Sequence, residues 1–228
     1  MSKQLVRFAL LGLLIAALAG VFLRNNVAAS EAVTTLPKPM VDDSLAASPG
    51  QQTVVFAGGC FWGVQAVFQH VKGVISATSG YSGGAKSTAE YEIVSTGTTN
   101  HAESVKVVFD PSKVTFGQLL QVFFSVAHDP TQLNHQGPDE GTQYRSVIFY
   151  STEQQKKIID AYIAQLDQAN VFKKKIVTQV VPLKAFYPAE GYHQNYATLH
   201  PDNPYIAHYD LPKLSNLQQM YPQLYKGQ

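Results

Sequence analysis

Cys60 is the only cysteine in the chain and Trp62 the only tryptophan, and they lie two residues apart in Gly58-Gly59-Cys60-Phe61-Trp62-Gly63. The β-prone run Thr53-Val54-Val55-Phe56-Ala57 precedes them, and Val64 to His70 follows with apolar residues at helical spacing. Strand, glycine turn and helix then place Cys60 at or near a first helical turn. Unpaired backbone N–H groups there favour the nucleophilic thiolate. A buried structural cysteine is the competing reading. Glu103 enters a segment whose alternation puts Glu103, Val105 and Val107 on one inner face. Burial there raises a carboxyl pKa and keeps a proton available for donation; a strand-edge Glu facing water is the alternative. The loop Gly137 to Ser146 delivers Asp139, Tyr144 and Arg145 to one strand end, and Glu190 to Tyr196 forms a second polar-aromatic cluster around Tyr192 and His193. These tyrosines fit either a site or the rim of a core.

The elements that must carry these residues follow from the patterning. Val74 to Tyr81, Ser104 to Phe109, Ser146 to Tyr150 and Ile176 to Leu183 read as strands. Thr115 is placed to cap an apolar helix to Ala127, and Thr152 an amphipathic helix from Glu153 to about Ala169. A short helix is expected over Glu190 to Leu199 and an irregular, aromatic-packed tail beyond Pro201. Strands and helices interleave without regular βαβ spacing. The expected class is α+β, a two-layer sandwich on a central mixed sheet.

With 228 residues, 45% of them hydrophobic, and a net charge of +1, the chain supports one sizeable domain and shows no basic excess for nucleic acid. One cysteine excludes an intrachain disulfide and a multi-cysteine metal site. His193, His200 and His208, seven and eight residues apart, do not share a helix face as metal ligands do. Residues 1–29 have a basic start, with Lys3 and Arg7, an uncharged apolar run from Phe8 to Leu23, and small residues at Val27-Ala28-Ala29-Ser30. This is the pattern of a signal peptide or membrane anchor, and it predicts export to the periplasm or tethering at the outer face of the inner membrane. Residues 30–51, with Pro37, Pro39, Pro49 and Gly50, read as a linker, and residues 52–228 as the domain.

Four motifs occur in order: Gly-Cys-Phe-Trp-Gly, His-Ala-Glu at a strand start, Asp-x-Gly-Thr-Gln-Tyr-Arg-Ser, and Ala-Glu-x-Tyr-His-Gln-x-Tyr. Together they resemble peptide methionine sulfoxide reductase A over roughly Val54 to Leu214. The resemblance implies a fold related to the ferredoxin-like arrangement and thiol-dependent reduction of the S epimer of methionine sulfoxide. It makes Cys60 the nucleophile and Glu103 the acid that protonates the sulfoxide oxygen. Tyr144 and Tyr192 would bind that oxygen, Phe61 and Trp62 would form the S-methyl pocket, and Asp139 would support the site and bind the substrate backbone. Asn100 and His135 stand where the family commonly has glycine and arginine.

The family implies no metal or organic cofactor and a monomer acting on oxidised proteins. Many members carry further cysteines in the tail, and this chain has none. The sulfenic acid left on Cys60 would then be reduced by an external thiol such as thioredoxin, glutaredoxin or glutathione. Two other classes are weighed against this reading. One is a cysteine hydrolase or acyltransferase using His101 or His193 as base, and the other a non-catalytic module that binds methionine sulfoxide.

Overall fold

The computed structural model describes residues 35–227, so the leader expected over residues 1–29 lies outside the described residues. Six strands form one mixed sheet: β1 (Gln52–Ala57), β2 (Val74–Ser82), β3 (Ala102–Phe109), β6 (Val147–Tyr150), β7 (Gln179–Pro182) and β8 (Tyr187–Pro188). Two-residue strands β4 (His135–Gln136) and β5 (Asp139–Glu140) pair separately as a hairpin. The order in the sheet is β7-β6-β1-β3-β2-β8. All neighbours are antiparallel except β6 and β7.

Alternation along the strands sorts two faces. Val54, Phe56, Val105, Val107 and Phe109 point into the main core with α1 (Phe61–Gln69), α2 (Phe116–Val122), α3 (Glu153–Gln168) and α4 (Leu211–Met220). Val55, Ala57, Ala102, Val147 and Phe149 form a smaller cluster on the other face, under Val181, Leu183 and Phe186. The α+β class and mixed sheet stand as the pattern indicates. Thr115 caps α2 with a full capping box, closed by Gln118, and Thr152 caps α3 through the Gln155 N–H.

Three local expectations change. The apolar helix after Thr115 is α-helical only to Val122 and continues as one π turn, Phe123–Ala127. The helix expected over Glu190 to Leu199 splits into a 3-10 turn, Gly191–His193, and a short helix, Tyr196–Leu199, because Asn195 between them is left-handed with φ 59°. The tail is not irregular: a π turn over Ile206–Asp210 runs into α4, which carries Pro212 as its second residue and buries Leu217.

The proline-containing stretch expected to be a linker is docked by hydrogen bonds from Leu36 onward, with Leu36 its one buried residue and residues 44–50 exposed, and the compact unit begins at Thr35. Tyr162 Oη donates to the Pro37 carbonyl at 2.8 Å, and Gln121 Nε2 donates to the Leu36 carbonyl. Asp42 accepts from the Gly117 N–H at 2.8 Å and from the Thr115 hydroxyl, so it acts as an added cap for α2 supplied from outside the helix. Low apolar density hid this docking, since the strap is held mainly by hydrogen bonds. Asp42→Ala is expected to lower stability by about 1–2 kcal/mol, read as a smaller urea midpoint, with turnover per folded enzyme unchanged.

Candidate active site

The site lies at the sheet end where β1 stops and β3 starts. β1 leaves through Gly58 and Gly59. Gly59 has φ +87°, and an added Cβ would sit 2.5 Å from Gln136 of the β4–β5 hairpin, so only glycine allows that approach. Cys60 then occupies the N-cap position of α1 and is 9% exposed.

The helix-start donors are divided. The Phe61 N–H, the first of α1, donates to Glu103 Oε2 at 3.0 Å. The expectation that the helix start makes Cys60 a ready thiolate is therefore corrected. Burial raises the thiol pKa well above its usual value, and the charges of Glu103 and Asp210 raise it further. The Trp62 N–H and the Lys213 ammonium act in the opposite direction. Cys60 rests as a neutral thiol.

Glu103 lies on the inner face, as alternation predicts, and is 3% exposed. Burial lifts its pKa to about 8 against the lowering effect of the Phe61 N–H, with a further rise from the Asp139 charge. At neutral pH it is predominantly a carboxylic acid with a proton to give. Tyr144, at the end of the 3-10 turn Thr142–Tyr144, is held out of ionisation chiefly by burial and then by the charges of Glu103, Asp139 and Cys60. Asp139 accepts from Tyr205 Oη, and burial raises its own pKa.

The aromatic wall forms around Trp62. Its ring stacks on Tyr196 at 3.9 Å between centroids and meets the edge of Tyr205 at 6.2 Å, while Phe61 lies 6.4 Å away. Cys60, Glu103, Tyr144, Asp139, Phe61 and Trp62 thus belong to one constellation. Tyr192 stands apart at the rim, 61% exposed, with its ring against His193. Desolvation, then the charges of Glu190 and Glu92, raise the Tyr192 pKa.

The interior hydroxyl that the sequence did not reveal is Tyr91. Its pKa is pushed up to about 12 by burial, then by the Glu103 and Cys60 charges. Tyr205 faces Cys60 in the same way. Tyr91 sits in a four-residue helix, Tyr91–Val94, with no periodicity to mark it. Asp210 and Lys213 were also missed, because the tail did not read as a helix. They pack against Gly63, where a Cβ would fall 2.0 Å from Asp210 Oδ1.

Neither histidine proposed as a base is free at the sulfur. His101 Nδ1 accepts from the Gly84 N–H at 3.2 Å and its Nε2 faces the Ala85 carbonyl at 2.9 Å, while His193 Nδ1 accepts from the Trp62 indole at 3.2 Å. Among the described residues, no group of three or more His, Cys, Asp or Glu is arranged to hold a metal ion. Asn100 has φ 62°, a left-handed position that suits glycine and that asparagine tolerates. This accounts for its standing where the family commonly has glycine.

A buried thiol beside a protonated carboxyl, hydroxyls and an aromatic wall defines a thiol oxidoreductase on an α+β sheet. A family model described as peptide methionine sulfoxide reductase matches residues 52–224. The chain is 63% identical over 179 residues to "Peptide methionine sulfoxide reductase MsrA 2" of Mesorhizobium japonicum, covering 78% of this chain and 92% of that protein. It is 49% identical over 195 residues to the protein of that name from Synechocystis, covering 85% and 91%. Among solved structures, methionine sulfoxide reductase A of Corynebacterium diphtheriae aligns with a TM-score of 0.57 at 34% identity, over 77% of this chain and 91% of that one. Reduced Mxr1 of Saccharomyces cerevisiae aligns at 0.60 and 31%, over 71% and 91%. The chain belongs to the peptide methionine sulfoxide reductase A family.

The coupling between the two central groups is measurable. Above pH 8 the Glu103 charge opposes ionisation of Cys60, so Glu103→Gln is expected to speed alkylation of Cys60 by iodoacetamide severalfold at pH 9 and much less at pH 6.5. Equal rates at pH 9 would show that the charge does not reach the sulfur.

Proposed function

We infer that this chain reduces the S epimer of methionine sulfoxide, free or within proteins, to methionine, and so repairs oxidised proteins. The observation that carries the mechanism is the buried Glu103 carboxyl, with its pKa lifted to about 8, bonded to the residue that follows the nucleophile. The sulfoxide enters with its S-methyl group against Phe61 and Trp62 and its oxygen toward Glu103, Tyr144 and Tyr91. Glu103 gives its proton to the oxygen, which makes the sulfoxide sulfur electrophilic. Cys60 Sγ attacks that sulfur, and its proton returns to the Glu103 carboxylate. The hydroxyl then passes from the substrate sulfur to Sγ, the new bond between the two sulfurs breaks, and methionine leaves: Cys60 is oxidised by two electrons to sulfenic acid, and the substrate sulfur is reduced by two. Tyr192, at the rim, is positioned to meet the bound substrate from the solvent side. Asp139, through Tyr205, supports the wall and can accept from the substrate backbone.

With one cysteine in the chain, the sulfenic acid has no internal thiol partner. Two external thiols then restore Cys60 with release of water and a disulfide, and a thioredoxin-like or glutaredoxin-like protein or glutathione fits that chemistry. No metal or organic cofactor enters any step. The enzyme acts as a monomer. The leader pattern of residues 1–29 supports export, with the domain in the periplasm or tethered to the outer face of the inner membrane.

Cys60→Ser is expected to abolish turnover of methionine S-sulfoxide peptides, and Glu103→Gln to reduce it by about 10²–10⁴-fold with the fold retained. An epimer-resolved assay checks both. One turnover without reductant should add one oxygen to the protein mass and yield no disulfide-linked dimer. Full activity of Glu103→Gln at pH 7 would remove the general-acid role, and sulfoxide binding left intact by Cys60→Ser without any wild-type turnover would favour a binding module.

A further inference from the structure

His193 takes no part in the oxygen transfer, yet the pocket's aromatic side chains converge on it. Its ring is 2% exposed and lies 5.0 Å from Phe61, 5.8 Å from Trp62, 4.4 Å from Tyr91 and 4.2 Å from Tyr192, between centroids. Trp62 Nε1 meets His193 Nδ1 at 3.2 Å. An indole N–H can only donate, so Nδ1 must accept and the proton of the neutral ring sits on Nε2. That Nε2 is buried with no hydrogen-bond partner, and Glu190 Oε2 lies 3.9 Å away. Glu190 is itself committed: Oε2 accepts from Tyr81 Oη and Oε1 from the Tyr91 N–H, each at 2.9 Å. One carboxylate thus anchors Tyr91 and faces the imidazole, and the imidazole anchors Trp62. The segment carrying both is clamped to β2 by Gln194, which bonds Ser79 N, Ser79 O and the Gln65 amide, and by Gln65, which accepts from the Asn195 N–H.

We propose that His193, backed by Glu190, is a positioning residue that fixes the plane of the Trp62 indole and thereby shapes the pocket for the S-methyl group. The proposal rests on the sulfoxide reading of that pocket. The ring must be neutral to serve. Burial lowers its pKa, with Glu190 pulling the other way, so it is neutral at pH 7. Acid puts a second proton on Nδ1, which removes the acceptor and sets two N–H groups against each other. The titratable groups facing the ring are Glu190, Tyr91 and Tyr192, with Tyr81 behind Glu190; Phe61 and Trp62 from α1 carry no charge. Acidification therefore releases the indole while Glu190 retains the imidazolium.

Trp62 is the only tryptophan, so its emission reports this bond directly. Wild-type emission should change on acidification below pH 6.5, and His193→Leu and His193→Gln should both abolish that step. His200→Gln, which removes the imidazole that lies against Tyr196 behind the indole but leaves the His193 bond in place, should keep it. His193→Leu should raise KM for a methionine S-sulfoxide peptide by about five- to tenfold, the worth of one buried hydrogen bond, with kcat changed less than about twofold. His193→Gln, which keeps an acceptor for the indole, should recover most of that KM. An acid step that survives in His193→Gln overturns the proposal, and so does a wild-type KM in His193→Leu. If His193→Leu does not fold, the emission of His193→Gln still decides. If no variant, wild type included, turns over sulfoxide, the activity reading fails, while the emission step still tests the bond.

Discussion

One hydrogen bond organises this site: the first N–H of α1, from Phe61, donates to the Glu103 carboxyl at the start of β3. It joins the helix that carries the nucleophile to the strand that carries the acid. It also places a carboxyl where desolvation dominates. A single helix-start donor lowers the Glu103 pKa but does not offset burial, so the group stays protonated near neutral pH. The same arrangement sets the resting state of Cys60. A thiolate beside a carboxylate in a buried pocket would confine two negative charges, so the resting pair keeps its protons until a sulfoxide accepts one.

Two chain segments from far away in sequence complete the pocket. The tail brings Tyr205, Asp210 and Lys213 to the first turns of α1, and Gly63 leaves the space for them. Lys213 is the cation that eases ionisation of Cys60, and the buried Asp210 restrains it. The Glu190–Asn195 segment, pinned to β2 by Gln194, brings His193 under the indole. The tail carries no cysteine, and what it supplies to the site is shape and charge.

The strand and helix assignments that held were those where burial alternates or repeats with a helical period, as in β3 or in α3 with Ile158, Ile159, Tyr162 and Leu166. The ones that changed depend on long-range partners. The strap before Gln52 has few apolar residues and is held by Asp42, Tyr162 and Gln165. α4 carries a proline at its second position, follows a stretch rich in tyrosine and proline, and is stabilised by docking Leu217 into a core built by other elements. Tyr91 was invisible because a four-residue helix carries no periodic signal.

The order and identity of the motifs, from the lone Cys60 through Glu103 and Tyr144 to Tyr192, were determined by the sequence alone, as was the inward direction of Glu103, because a strand's side chains alternate in two directions only. The tertiary structure decided the protonation of those groups and which hydroxyls join them. A pKa depends on the burial and charges that the whole fold assembles around a group, and the folded chain gives the Phe61 N–H to Glu103, sets Asp210 beside Cys60, places Tyr91 inside and leaves Tyr192 at the rim.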